Sequence, residues 1–482
     1  MAGSRAERID GPLRRVSRLC AAMLFLVLGH ITLVQAFGSQ TLNADRRNER
    51  RLITRFDHQR GDILTYDGTP IATSRPTGGG PYLYRRVYPD GEVYAAVTGH
   101  MSLHRSTGIE QARDAVLSGE DPKVKVRSLV RDGEVEGADV RLTIRDRVQR
   151  AAYEALRATG LAGAVVAIDP ATGAVLALAS YPSYDPNALT TFDAEQLAET
   201  SERLARDPSQ PLLNRALNQL YPPGSTFKLV TAAAALASGE YTPSALVDAP
   251  TRLRLPGTRT VLRNAGGLGC GDARPTLTYA FQVSCNTAFA NIGLQLGQDL
   301  LRDQAEAFGF NAPDLAIPLV ATASRYPRTM DRPQTALSAI GHHDSRVTPL
   351  MVAMLSAAVA DSGVLMRPYL VAEVRLPDGS VVDRADPVVY RKALSPAVAK
   401  DLATMMTAVP RPGSSGGSPF VPEAARTADS KVAPGIDDHA LITAFAPADA
   451  PEVAVGVVLE RPGSRADAVS AIVHQVILAA LE

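Results

Sequence analysis

The sequence predicts an α+β fold for its C-terminal two thirds, preceded by an irregular, β-rich N-terminal module and one membrane-spanning helix. Three observations predict it. A single long apolar stretch, Leu19 to Phe37, follows a run of arginines. Beyond residue 158, strand patterns sit at both ends of the region and helical patterns fill the middle, so one sheet must draw on distant parts of the chain. In that middle, an alanine-rich helix is headed by a serine with a lysine three residues on, in YPPGSTFKLVTAAAALASGE (Tyr221 to Glu240).

The apolar stretch, LCAAMLFLVLGHITLVQAF, is about long enough to cross a bilayer. Arg5, Arg8, Arg14, Arg15 and Arg18 precede it and favour an inside N-terminus. Arg46, Arg47, Arg50 and Arg51 follow it and blur that signal. Val34-Gln35-Ala36 fits a small-residue cleavage site, so an uncut anchor and a cleaved signal both stand, the anchor ahead. The division expected is residues 1–18 cytoplasmic, 19–37 spanning, 38–158 an N-terminal module and 159–482 the main domain.

Composition narrows the classes. The chain has 482 residues, 45% hydrophobic and 21% charged, which fits two or three globular domains. Fifty basic and fifty acidic residues give a formal net charge of zero, so nothing points to nucleic acid as a partner. Cys20, Cys270 and Cys285 form no Cys/His cluster of zinc-ligand spacing, so no metal site is expected. Whether Cys270 and Cys285 pair is left open by the sequence.

In the N-terminal module, RGDILTYDGTPIA (Arg60 to Ala72) reads as two short strands around the turn dipeptide Asp67-Gly68. Ser74 to Tyr82 is a loop by composition. Val140 to Leu156 reads as a strand running into an amphipathic helix, and Ala164 to Ser180 as a hairpin of buried strands. Thr276 to Gly297 and Pro396 to Met406 read as helices, the latter behind the N-cap Ser395. Strands His439 to Pro447 and Glu452 to Glu460 precede a last helix.

The chemistry rests on Ser225 and Lys228. Two prolines and Gly224 stiffen the approach to a helix that ends at Gly239, a residue type favoured at that position. Ser225 then lies in the first turn, beside free backbone N–H groups and the positive end of the helix dipole. A lysine one turn on can take its proton if that lysine is held uncharged. Alone, S-x-x-K is a short pattern that a capping serine and a surface lysine also satisfy. Ser284-Cys285-Asn286, about sixty residues later, is weaker still by itself.

Together, NRALNQLYPPGSTFK and SCNTAF at that spacing resemble the transpeptidase domain of class B penicillin-binding proteins, which carry one catalytic domain behind an N-terminal pedestal. RGDILTYDGTPIA resembles the pedestal's opening motif, Gly108-Ile109-Glu110 its later one, and ASYPSYDPN the lead into the catalytic core. The order is most similar to the actinobacterial cell-division and elongation members. The resemblance implies a serine β-lactamase-like α+β domain with a pedestal of dimerisation-domain type. It implies a peptidoglycan D,D-transpeptidase of the bacterial cell membrane, single-pass and extracytoplasmic. Ser225 would attack the penultimate D-alanine of a D-Ala-D-Ala stem peptide, Lys228 would act as base, Ser284 would relay a proton and Asn286 would hold the substrate amide. β-Lactams would trap the serine. No cofactor is implied, and a membrane glycan polymerase is the expected partner, in wall growth, cell shape and cell division.

The third family motif, K-T-G on an edge strand, is altered. Its best match is Arg426-Thr427-Ala428; a second register, Lys431-Val432-Ala433, keeps the lysine but loses the threonine. Arg426 keeps the charge for a substrate carboxylate but cannot shuttle protons. Ala428 adds a Cβ where backbone and substrate approach closely. Asp429 would supply the second oxyanion-hole N–H beside that of Ser225, and its carboxylate would repel the oxyanion if it faced the cleft. Pro410 to Phe420 reads as a flexible loop. His342 and His343 stand where the family usually has Gln after Gly341. Two readings therefore compete: a working, slowed transpeptidase, or a degenerate relative that scaffolds a wall-synthesis complex.

Overall fold

The computed structural model describes residues 6–33, 55–129, 137–407, 424–430, 438–465 and 467–482, with the side chains of 6–14, 127–129, 424–430 and 464 excluded. The expectations at Val34-Gln35-Ala36, at Arg46 to Arg51, at Pro410 to Phe420 and at Lys431-Val432-Ala433 fall outside the described residues.

Two compact units result. One holds residues up to His58 together with Pro76–Tyr84. Its helix α1, Ala6–Leu33, contains the segment Arg15–Leu33, long and apolar enough to cross a membrane by length and composition. In the same unit Phe56 and Tyr82 meet edge to face, and Leu83 N–H donates to the Phe56 carbonyl at 3.0 Å.

The other unit, Gln59–Arg75 with Arg85–Glu482, carries two larger sheets. The short strands β1 (Ile63–Leu64), β2 (Pro70–Pro76), β3 (Tyr84–Val87) and β4 (Asp139–Leu142) form the centre and one edge of a six-stranded sheet. Next come α2 (Gly91–Thr98) and α3 (Gly108–Ala112), the latter carrying buried Glu110. Glu110 accepts from Arg60 Nε at 2.8 Å and from Arg86 Nε at 2.5 Å. Burial alone would raise its carboxyl; the two arginines more than offset that and hold it below the usual range. This explains why Arg60 and Glu110, fifty residues apart, occur together: neither could be buried alone.

The main sheet is antiparallel. β5 (Gly163–Ile168) and β6 (Val175–Tyr181) form the expected hairpin. Further on come the hairpin β7 (Arg252–Arg254) and β8 (Val261–Arg263) and the pair β9 (Val364–Met366) and β12 (Val389–Lys392). Strands β10 (Val371–Arg375) and β11 (Val381–Arg384) return to complete the six-stranded sheet, in the order β11-β10-β4-β1-β2-β3. The last strands, β13 (Ala424–Ser430), β14 (His439–Ala446) and β15 (Val453–Leu459), make the main sheet β13-β14-β15-β5-β6.

Every residue of β5 and β15 is buried, as is all of β14 after His439. The reason is that both faces of this sheet are covered. Helix α4 (Asp146–Thr159) and the C-terminal helix Ala468–Leu481 pack on one side, and the helix Pro349–Ala360, apolar but for Ser356, on the other. Gly456 lets that last helix approach: a Cβ there would lie 2.4 Å from the Ala353 nitrogen. Edge strand β13 borders the turn that carries Ser225.

Candidate active site

Tyr221 fixes the entry to the turn that carries Ser225. Its N–H donates to the Val347 carbonyl at 2.8 Å, and the Val347 N–H returns the bond at 2.7 Å. Its phenol donates to Glu460 at 2.8 Å, and Glu460 also pairs with buried Arg215. Burial and that carboxylate keep the phenol protonated well above its usual range.

Gly224–Phe227 then forms a 3-10 turn, and the α-helix α5 begins only at Lys228, ending at Ala237. The sequence predicts Ser225 inside the α-helix; the structure places it one turn before. The difference matters, because in a 3-10 turn the side chains at i and i+3 eclipse. Ser225 and Lys228 are brought face to face, with Lys228 Nζ 3.0 Å from Ser225 Oγ.

The expected helix Thr276 to Gly297 is broken as well. In its place stand α6 (Leu277–Gln282) and α7 (Asn286–Ala307), the break between them being Val283-Ser284-Cys285, and α7 is kinked at Gly297, where the sequence ends the helix. Ser284 adopts a left-handed φ of 58°. That turn delivers both its hydroxyl and its carbonyl to Lys228 Nζ, at 2.9 and 2.7 Å. Asn286, opening α7, places Oδ1 2.5 Å from the same nitrogen. Ser284 Oγ lies 3.0 Å from Ser225 Oγ, closing a triangle of two hydroxyls and one amine.

Lys228 is fully buried, whereas Ser225, Ser284 and Asn286 are partly open. All four of these oxygens are uncharged. Ser284 O and Asn286 Oδ1 can only accept, so they match the two N–H groups of a neutral amine, whose lone pair is then free to take a proton from a hydroxyl. Such an arrangement can deprotonate Ser225 and pass the proton across the cleft through Ser284.

Cys270 and Cys285 are bonded, which settles the question the sequence left open. Cys285 is the middle residue of Ser284-Cys285-Asn286, so the bond ties this motif to the segment after β8. Two residues that sequence reasoning missed complete the tie. Asn264 Oδ1 accepts from the Thr287 N–H at 3.0 Å, and Asn286 Nδ2 donates to the Arg263 carbonyl at 3.3 Å. Gly341, named in the sequence only as the residue before His342, has a role the sequence does not show: its carbonyl accepts from Gly224 N–H at 3.2 Å, bracing the serine turn from behind. The neighbouring His343 has a left-handed φ of 61°, as a tight loop needs. None of these roles leaves a pattern readable without the fold.

For the third motif the structure gives backbone placement. β13 pairs with β14 in a register that sets Arg426 opposite Thr443, Thr427 opposite Ile442, Ala428 opposite Leu441 and Asp429 opposite Ala440. The side chains of Arg426, Thr427, Ala428 and Asp429 lie outside the described residues.

Comparison with known proteins bears on the same geometry. Residues 163–479 match the penicillin binding protein transpeptidase domain, and residues 60–140 the penicillin binding protein A dimerisation domain. The chain belongs to the class B penicillin-binding proteins, of the penicillin-binding protein A type. Family members similar along nearly the whole chain include the peptidoglycan D,D-transpeptidase PbpA of Mycolicibacterium smegmatis, 41% identical over 95% of both chains. PbpA of Mycobacterium tuberculosis is 40% identical over 95% of this chain and 96% of its own. Among solved structures, the imipenem acyl-enzyme complex of M. tuberculosis penicillin-binding protein A superimposes with a TM-score of 0.86 at 39% identity, covering 89% of this chain and all of that one. The penicillin G acyl-enzyme complex gives 0.84 at 38%, over 88% of this chain and all of that one.

Proposed function

We propose that this protein cross-links peptidoglycan as a serine D,D-transpeptidase and is acylated by β-lactams. The observation that carries the reading is the closed contact of Ser225, Lys228, Ser284 and Asn286 around a buried amine. Ser225 Oγ attacks the carbonyl of the penultimate D-alanine as its proton passes to Lys228 Nζ. The negative oxygen of the tetrahedral intermediate accepts from the N–H of Ser225 and from that of Asp429 on β13. Ser284 delivers the proton to the departing nitrogen of the terminal D-alanine, leaving an ester on Ser225. Asn286 Nδ2 is placed to turn from the Arg263 carbonyl toward the substrate amide. An amine of a second stem peptide then attacks the ester along the same path in reverse, losing its proton to the Ser284–Lys228 pair.

Arg426, Thr427 and Ala428 serve as the third motif in this reading, Arg426 drawing the terminal carboxylate and Thr427 donating to it. Ala428 and Asp429 slow the reaction. The scaffold reading has only these substitutions behind it, while the four-residue cluster is intact. α1 anchors the chain once in the cell membrane with residues 1–18 inside and the catalytic domain outside, beside a membrane glycan polymerase. We place the division between pedestal and transpeptidase near residue 159.

Incubation of the full-length protein with labelled penicillin tests the reading. A covalent adduct is expected, and Ser225→Ala should abolish it. Failure of the wild type to label, or labelling that survives Ser225→Ala, overturns the assignment.

A further inference from the structure

The β7–β8 hairpin stands at the edge of the active site and is unusually basic. Arg252 and Arg254 lie on β7, Arg263 on β8 and Arg259 in the turn between them; all four are exposed. Alternation along a strand puts Arg252 and Arg254 on one face, and the register sets Arg263 directly opposite Arg252. Like charges directly opposite each other destabilise a two-stranded ribbon. Nothing relieves that repulsion here, because none of the four pairs with an acidic side chain among the described residues. The one side-chain hydrogen bond they show is from Arg254 Nε to the Thr258 carbonyl. By contrast Arg274, a little further on, is paired with Asp248 at 3.0 Å. A ribbon that keeps such an uncompensated cluster is built to meet anions.

Its position is fixed relative to the chemistry. One side-chain amide, that of Asn286, contacts Lys228 Nζ with its oxygen and the Arg263 carbonyl with its nitrogen. The Asn264 contact to Thr287 and the Cys270–Cys285 bond hold the same segment to the start of α7. An extended peptide advances about 3.3 Å per residue, so residues two to four places before the attacked carbonyl lie roughly 7–13 Å from it. The contacts from Ser225 through Lys228 and Asn286 to the Arg263 carbonyl start the hairpin within that range.

We propose that the β7–β8 hairpin is an anion-recognition arm that takes the carboxylates an acidic stem peptide carries upstream of its D-alanyl end. It rests on the transpeptidase reading and adds to it a determinant of substrate choice: peptides with free carboxylates are selected over their amidated counterparts. The interaction is between exposed groups, so it is modest at each pair and screened by salt.

The test is equilibrium binding of two neutral-dye-labelled peptides to the full-length protein in detergent. Both end in D-Ala-D-Ala; one carries two free carboxylates upstream, the other has both amidated. The acidic peptide should bind about tenfold more tightly at low salt, and that ratio should shrink as salt is raised. The triple variant Arg252→Gln/Arg254→Gln/Arg259→Gln, checked for an unchanged thermal transition, should bring the ratio to about one. Equal binding of the two peptides by the wild type, absence of binding, or a triple variant that keeps the preference overturns the proposal. If the variant does not fold, the wild-type ratio and its salt dependence decide alone. Penicillin labelling of Ser225 is a separate measurement, so loss of the arm and loss of the transpeptidase reading are distinguished.

Discussion

Gly341→Ala should slow acylation of Ser225 about a hundredfold without touching any group that takes part in the chemistry. Gly341 has a φ of +76°, and a Cβ built there would lie 1.9 Å from the Gly224 carbonyl oxygen and 2.7 Å from its carbon. Real Cβ contacts do not fall below 3.0 Å, so the two backbones must part by about 1 Å. The atoms that move belong to the residue immediately before the nucleophile, and the Gly224 N–H bond to Gly341 is lost with them. A displacement of about 1 Å in a reacting group costs on the order of a hundredfold in rate. The left-handed backbone adds about 1–2 kcal/mol of strain for any residue with a side chain. Gly379→Ala separates the two effects. Gly379 has a similar φ of +83° in the turn between β10 and β11, with open space around it. That variant should melt a few degrees lower yet acylate at the wild-type rate. The assay is the second-order rate of labelled-penicillin capture beside a thermal melt. A Gly341→Ala protein that is acylated within threefold of wild type would show that the serine turn does not depend on this brace.

Three further outcomes are expected. Ala428→Gly with Arg426→Lys should speed penicillin acylation, by up to about a hundredfold if closer approach to the β13 backbone strengthens the Asp429 N–H as an oxyanion donor; an unchanged rate would mean the third motif works as it stands. Cys270→Ser, which opens a loop with a sequence separation of 15 residues, should cost roughly 3 kcal/mol in denaturant melts and slow acylation by freeing the Ser284 turn; a variant that melts and reacts like wild type refutes the bracing role. His100 is buried against Tyr184 and Thr107, and burial, with the charge of Arg105, pushes its imidazole down to about 4. The unfolded chain, titrating near 6.5, binds a proton that the native state refuses between those two values, so stability is complete above about pH 6.5 and falls as pH drops toward 4. Between pH 7 and 5 the loss is about 2 kcal/mol, and His100→Asn should flatten that slope; an equal slope in the variant assigns it to other groups.

Much of the fold is legible in the sequence because its signals are local. Asp67-Gly68 marks the β1–β2 turn, and Asp169 to Gly173 the turn from β5 to β6. The apolar runs of β5 and β15, and of β14 but for His439 and Thr443, follow from a sheet covered on both faces. Leu376-Pro377-Asp378-Gly379 carries as plain a turn signal and leads from β10 to β11, yet nothing in it says that these strands belong to the six-stranded sheet some 230 residues upstream. That pairing is long-range, as is the contact between Gly341 and Gly224. Pro256-Gly257 likewise marks the β7–β8 turn, while the seating of that hairpin against Asn286 depends on α7.

The two departures at the active site share a physical origin. A helical reading of Ser225 and of Thr276 to Gly297 follows correctly from propensity, since Ala, Leu, Phe and Asn are compatible with continuous helix there. What overrides it is contact with a distant partner. The serine turn tightens to 3-10 geometry against Gly341, and the second helix opens at Ser284, where the bond from Cys285 to Cys270 and the Asn264 cap on Thr287 hold the break. Both irregular turns face the same buried lysine, and each brings a serine hydroxyl to it. Propensity is thus broken at the two places where a hydroxyl must be aimed at one nitrogen, and each break is held by backbone or disulfide contacts. Loosening either support should therefore lower the acylation rate more than it lowers the melting temperature, whereas loosening the Arg60–Glu110–Arg86 network should do the reverse.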